Sequence, residues 1–184
     1  LLCGLYKPSD GKVVFVDDGG AEHPIHKVRS NLGVVPEATG LYARLTAWEN
    51  IRYHSRLNNI DDKKAWNRTL RLAQALDMED DLQRQSRGFS RGMRQKTALL
   101  RALSHDPEIL LLDAPTNGMD PQNKIKVWDI LDRAGENKTI LFATQDFNEA
   151  EKFANRISIL HQGEIKMDGS LDRLIGVTKG LSKY

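Results

Sequence analysis

The chain has 184 residues, a length that suits one domain and a sizeable core without disulfide staples. Hydrophobic residues make up 40% and charged residues 28%, the balance of an ordinary soluble globular protein. The net charge is +2 and the basic residues are scattered, which argues against nucleic acid as the main partner. No apolar run reaches the roughly 20 residues of a membrane-spanning helix. The one cysteine, Cys3, can form neither an internal disulfide nor a zinc cluster, and it fits a reducing, cytoplasmic compartment.

Leu1 to Tyr6 read as the last turn of a helix, stopped by Pro8 and Ser9-Asp10-Gly11. This opening has no basic leader or cleavage pattern, so it is not expected to be a signal peptide. It has no capping signal either, so the chain is expected to begin inside an element. Lys12 to Val16 alternate as a strand, and Gly19-Gly20 is a turn. Leu32 to Val35 form a short apolar run ending at Pro36, a short buried strand. Thr46 stands three residues before Glu49, the spacing of a capping box. The helix it opens is predicted to bury Trp48, Ile51, Tyr53 and Leu57 on one broad face. A second helix is predicted from Asp61 to Leu76, with Trp66, Leu70, Ala73 and Leu76 spaced for burial.

Ser90 opens another helix, Arg91 to Ser104. Ile109 to Leu112 is a continuous apolar run, the pattern of a strand buried on both faces of a parallel sheet. Lys124 to Ala134 reads as a helix, Thr139 to Ala143 as a second buried strand, and Asn148 to Ala154 as a helix. Ile157 to Leu160, Gln162-Gly163 and Glu164 to Met167 read as a hairpin. The alternation implies an α/β fold with right-handed crossovers, and a helical subdomain over residues 46–104 inserted in its core. No repeat or linker divides the chain, so a single domain is expected over residues 1–184.

The run Ile109-Leu110-Leu111-Leu112-Asp113 ends in an acid at the strand terminus, where α/β sheets bind ligands. Such an aspartate either holds a magnesium ion, usually through water, or caps the following turn. The next residues, Pro115-Thr116-Asn117-Gly118-Met119-Asp120-Pro121, favour the first reading. LLLDAPTNGMDP resembles the Walker B and D-loop block of ABC ATPases, commonly LLLDEPTxGLDP. Upstream, Phe89-Ser90-Arg91-Gly92-Met93-Arg94-Gln95-Lys96 resembles the ABC signature, in the form found in the sodium-efflux and multidrug exporter branch. Val34 to Tyr42 resembles the Q-loop region, Leu141 to Asp146 falls where the H-loop belongs, and Asn155 to Gly169 resembles the closing hairpin. Five blocks in order identify the chain as similar to the nucleotide-binding domain of an ABC transporter, with a P-loop NTPase-like core.

The resemblance implies ATP and Mg2+ as cofactors. It implies Asp113 and Glu37 as metal residues, and Ser90, Arg91, Gly92, Met93, Glu37 and Asp120 as nucleotide contacts. Ser90 is placed as an N-cap, the helix start offers free N–H groups and a positive dipole end, and Gly92 lets backbone approach a phosphate. The bland alternative is a capped helix with a surface Ser-Arg-Gly.

The chain departs from the family in three main features and, more mildly, at Glu37. No GxxxxGK[ST] occurs, and Leu2-Cys3-Gly4-Leu5 resembles the end of the helix that follows that loop. The strand, loop and helix are therefore expected to precede Leu1 in a longer, N-terminally truncated protein. Ala114 occupies the place of the catalytic glutamate, and a methyl group cannot polarise water; general-base catalysis is typically worth about 10²–10⁴-fold. Gln145 occupies the place of the H-loop histidine and cannot carry charge near neutral pH. Glu37 stands where glutamine is usual, and could still ligate magnesium.

The histidines share no ligand spacing and read as ordinary solvated residues rather than a metal site. Trp48, Trp66 and Trp128 read as core or subunit-contact residues. Two functions compete on this pattern. One is the ATP-binding subunit of an exporter, catalytically impaired; the other is a non-catalytic partner that donates its signature to an intact subunit. An ABC-fold protein outside transport ranks below both. The resemblance implies a transmembrane permease subunit as partner, contacting Tyr42 to Trp48. It also implies a second nucleotide-binding subunit, identical or different, and a place at the inner face of the cell membrane.

Overall fold

The computed structural model describes residues 1–135 and 138–174. The chain divides into two compact units, one up to Ala143 and one from Thr144 onward. The first is built on a parallel sheet of β3 (Leu32–Val35), β4 (Ile109–Asp113) and β5 (Thr139–Ala143), with β4 in the middle. It opens with an antiparallel pair, β1 (Val14–Val16) and β2 (Glu22–Pro24), turned through Asp17 to Gly20, and a short helix α1 (Ile25–Val28). Val35 lies opposite Leu112, and Asp113 opposite Ala143, so the three strands end level with one another.

Parallel neighbours need crossovers, and the helices supply them. Between β3 and β4 run α2 (Ala47–Leu57), α3 (Asp62–Ala75) and α4 (Arg91–Leu103); α5 (Pro121–Gly135) joins β4 to β5. Each helix starts on a chemical signal. The Thr46 hydroxyl accepts from Glu49 N at 3.0 Å while Thr46 N donates to Glu49 Oε2 at 2.8 Å, the reciprocal box that the sequence predicts. Asp61 accepts from Lys63 N and Lys64 N. Trp48 and Trp66 meet edge to face at 4.9 Å between α2 and α3. The Lys96 ammonium of α4, almost fully buried, donates to the Leu76 carbonyl at the end of α3.

Gly33 sets the spacing of helix on sheet. A Cβ there would lie 2.7 Å from the Ala102 carbonyl oxygen of α4 and 2.8 Å from Pro107.

Several elements differ from the sequence expectation. Leu1 to Tyr6 form turns, with Gly4 at φ +73°, and Leu1, Leu2, Leu5 and Tyr6 are exposed. The buried face of α2 is Ala47, Asn50, Ile51 and Ser55, whereas Tyr53 and Leu57 face solvent. Two buried polar groups displaced them, because each finds hydrogen-bond partners inside. The fifth helix begins at Pro121, three residues before the expected Lys124, because Asp120 caps it and proline suits the first helical position. The expected second buried strand, β5, is the last in the strand order among the described residues, with Leu141 51% exposed.

The second unit carries α6 (Phe147–Phe153), capped by Asp146, and the antiparallel strands β6 (Ile157–His161) and β7 (Glu164–Gly169). Gln162 and Gly163 turn the hairpin with φ of 50° and 80°, the type I′ geometry that suits twisted strands. Among the described residues no helix is long and apolar enough to cross a membrane.

Candidate functional site

The carboxyl edge of the sheet carries two of the acids named from sequence. Asp113 is the last residue of β4 and is exposed; Glu37 follows β3 by two residues and is exposed as well. Ala114, directly after Asp113, adopts φ +45°, and its N–H donates to Ala143 O at 3.0 Å. The chain then folds tightly, with Asn117 N donating to Ala114 O and Met119 N to Thr116 O, both at 3.1 Å.

The first turn of α4 rests on this loop. Ser90 is extended, with φ −62° and ψ 167°, and its hydroxyl accepts from Met93 N at 3.2 Å. The Arg91 side chain runs along the backbone of Gly118, where a Cβ would meet Arg91 Cδ at 2.8 Å. Gly92 faces open space, with only Met119 Cγ at 3.9 Å from where its Cβ would be. Buried Gln95 donates to Ala114 O at 3.4 Å. The signature turn and the loop after β4 are thus one packed surface, with the helix N-terminus exposed at Ser90.

A cleft of about 610 Å³ opens beside that turn. Glu37 to Leu41 form one wall; Arg87, Arg91, Arg94 and Gln95 line the other. Arg101, largely buried, donates to Thr39 O at 2.7 Å and Gly40 O at 3.2 Å, and burial lowers its pKa. Positive charge and a helix N-terminus on one side make this cleft favourable to an anion.

The structure brings Ser90, Arg91, Gly92 and Met93 together with Ala114 and the 117–119 loop, and sets Glu37 across the cleft from Arg91. Asp120 is used differently. Its carboxylate accepts from Asn123 N at 3.1 Å and from the Asn123 amide, bonds that lower its pKa and cap α5. Gln145 is exposed in the second unit, one residue before the Asp146 cap of α6. Among the described residues no three His, Cys, Asp or Glu converge on a metal position. One or two exposed carboxylates fit magnesium that is completed by phosphate oxygens and water, rather than an all-protein cage.

Gln95, Arg94, Arg101 and Asn50 take part in this region, and the sequence reading names none of the four as a site residue. Their signal was a polar side chain at a helix position that packs inward, which a single sequence shows only as a break in apolar spacing.

A sheet whose strand ends carry an acid, with a capped Ser-Arg-Gly helix packed on the loop that follows, defines a nucleotide-binding α/β architecture of the ABC type. The chain belongs to the ABC transporter family, whose profile matches residues 1–117. It is 35% identical over 176 residues to the ABC transporter ATP-binding protein NatA of Bacillus subtilis, covering 95% of this chain and 71% of NatA. It is 34% identical to an uncharacterised ABC transporter ATP-binding protein of Nostoc, covering 96% of this chain and 52% of that protein. A solved ATP-binding subunit of an ABC transporter superposes with a TM-score of 0.84 at 25% identity, over 100% of this chain and 76% of that one. The dimeric cassette MJ0796, solved after hydrolysis with ADP and Pi, superposes with a TM-score of 0.79 at 28% identity, over 92% of this chain and 77% of that one.

Proposed function

We propose that this chain is the ATP-binding module of an export-type ABC transporter, weak in hydrolysis itself, that presents its signature turn to a nucleotide held by a second subunit. The observation that carries the reading is the packing of Ser90–Met93 on the loop after β4. Arg91 lies on Gly118 and Gln95 bonds Ala114 O, so the turn is fixed while Ser90 and Gly92 stay open to a ligand. The dimeric MJ0796 cassette supports a second subunit as the partner that completes the site.

In this reading Asp113 and Glu37 would hold Mg2+ beside nucleotide phosphates, and the ion would supply charge neutralisation there. Ser90, the open backbone at Gly92 and the N–H groups of the first turn of α4 bind phosphate oxygens. Asp120 shapes the loop by capping α5 rather than by touching the ligand. Ala114 offers no base to a water, and Gln145 offers an amide where the family has an imidazole. A membrane-spanning permease subunit would contact Tyr42 to Trp48 and the helical region beside it, a reading supported by the exposed Tyr42 and Tyr53 rings, edge to face at 5.7 Å.

The test is the ATPase rate of an intact homologue bearing GxxxxGK[ST], measured with and without this chain. The native chain is expected to raise the rate, and Ser90→Arg to abolish the increase. Equal stimulation by native and Ser90→Arg chains sinks the proposal.

A further inference from the structure

We infer that Asn50 is a positioning residue, whose one buried carboxamide holds the Glu37 segment and the approach to the signature turn to the same helix. The inference rests on the nucleotide-site reading above for its functional consequence, and on the geometry alone for the positioning itself.

Asn50 is 2% exposed in the first turn of α2, an unfavourable place for a polar group unless all its hydrogen bonds are made. Its Oδ1 accepts from Tyr42 N at 2.8 Å. Its Nδ2 lies 2.9 Å from Thr46 O, 3.1 Å from Ser86 Oγ, 3.2 Å from Tyr42 O and 3.4 Å from Leu45 O. The amide orientation follows from its partners, because a backbone N–H only donates and carbonyls only accept.

These partners belong to two segments far apart in sequence. Tyr42 directly follows the Glu37–Leu41 wall of the cleft, between the lining residues Leu41 and Ala43. Ser86 begins the turn that leads to Ser90; Phe89 N donates to Ser86 O at 3.1 Å. Backbone bonds join the same two segments, Ser86 N to Leu45 O and Arg87 N to Ala43 O, both at 2.9 Å. Arg101 grips the cleft wall independently, at Thr39 and Gly40, from α4. Asn50 alone among these side chains bonds both the segment that continues the cleft wall and the turn before Ser90.

Amide hydrogen exchange on the chain by itself tests the positioning. Asn50→Asp keeps the shape but loses both N–H donors. It is expected to speed exchange about tenfold or more in both Tyr42–Leu45 and Ser86–Phe89. Arg101→Met is expected to speed exchange only around Thr39–Tyr42. Ser86→Ala removes one acceptor and should loosen only Arg87–Phe89, with Ser86→Thr restoring native rates. This second variant decides the matter if Asn50→Asp does not fold. Native exchange rates in Arg87–Phe89 of Ser86→Ala overturn the inference, as does an Asn50→Asp effect confined to Tyr42–Leu45. In the mixed ATPase assay, Ser86→Ala is expected to cut stimulation by up to about tenfold, the effect of one hydrogen bond, and Ser86→Thr to recover it. Undiminished stimulation by Ser86→Ala, with Ser90→Arg inactive, overturns the functional part. An active Ser90→Arg chain overturns instead the reading of the site and leaves the exchange result standing.

Discussion

β4 and β5 lie side by side, each five residues long, each an apolar run in the sequence. Leu110, Leu111 and Leu112 of β4 are buried, whereas β5 alternates between exposed and half-buried residues, and Leu141 is 51% exposed. The two strands share one buried face. Phe142 of β5 meets Trp128 of α5 edge to face at 4.7 Å, and Leu110 of β4 lies beneath Gly33 and α4. They differ on the opposite face and at the edge, where β5 has no further strand among the described residues. Local composition makes a strand; place in the strand order decides how much of it is buried.

The largest effect expected from that difference is in the leucines. Leu110→Ala should cost about 2–5 kcal/mol, because a fully buried side chain leaves a cavity, while Leu141→Ala should cost less than about 1 kcal/mol. Urea unfolding midpoints of the two variants measure it, and equal losses would erase the distinction between the strands.

Acid should weaken the β3 flank before the β5 edge. His105 donates from Nε2 to Leu32 O at 3.0 Å, and the His54 and His105 rings lie 5.3 Å apart. Burial lowers both pKa values, and His54 falls to about 4, with His105 and Arg101 adding to the effect. The folded values lie below the unfolded 6.5, so the unfolded chain binds more protons as pH falls. Stability contributed by these groups is complete above pH 6.5 and is lost toward pH 4. The urea midpoint should therefore drop between pH 7 and pH 5, and His54→Gln should flatten the drop. A midpoint constant over that range in the native chain counts against buried neutral histidines.

Two smaller changes probe where β4 and β5 are tied at their ends. Lys138 donates to Asp106 Oδ1 at 2.9 Å and to Pro107 O at 2.6 Å, anchoring the start of β5 to the start of β4. Lys138→Met should cost about 1 kcal/mol by thermal unfolding. Ala114, at φ +45°, should gain up to about 1 kcal/mol as Ala114→Gly, which relieves a left-handed backbone without breaking its bond to Ala143. A loss on that substitution would show that the conformation is not strained.

The legible parts of the fold were those with local causes. The Thr46 box, the Ser90 cap, the Gln162-Gly163 turn and the leucine run of β4 each follow from a few neighbouring residues. The exposure of β5, the inward position of Asn50 and the bond from Gln95 to Ala114 depend on what lies across the chain, and spacing does not carry that. Leu1 to Tyr6 misled as well. Their letters suggest the last turn of a helix, but the described chain turns there, with Gly4 at φ +73° and Leu1, Leu2, Leu5 and Tyr6 exposed. At the site, the motifs gave Ser90 and Asp113 their places, whereas the turn of Asp120 toward its own helix came from a capping preference that also reads in the sequence, as Asp-Pro.

Gly33 has a consequence for how this chain can vary. A Cβ there would meet Leu110 Cδ2 at 2.6 Å, which can turn aside, and the Ala102 carbonyl oxygen at 2.7 Å, which belongs to the backbone of α4 and cannot. Any added carbon would have to lift the helix off the sheet, and with it the turn that begins at Ser90. A saturation library at position 33 should therefore return a single residue, since the thickness of that layer is written into the chain as an atom left out.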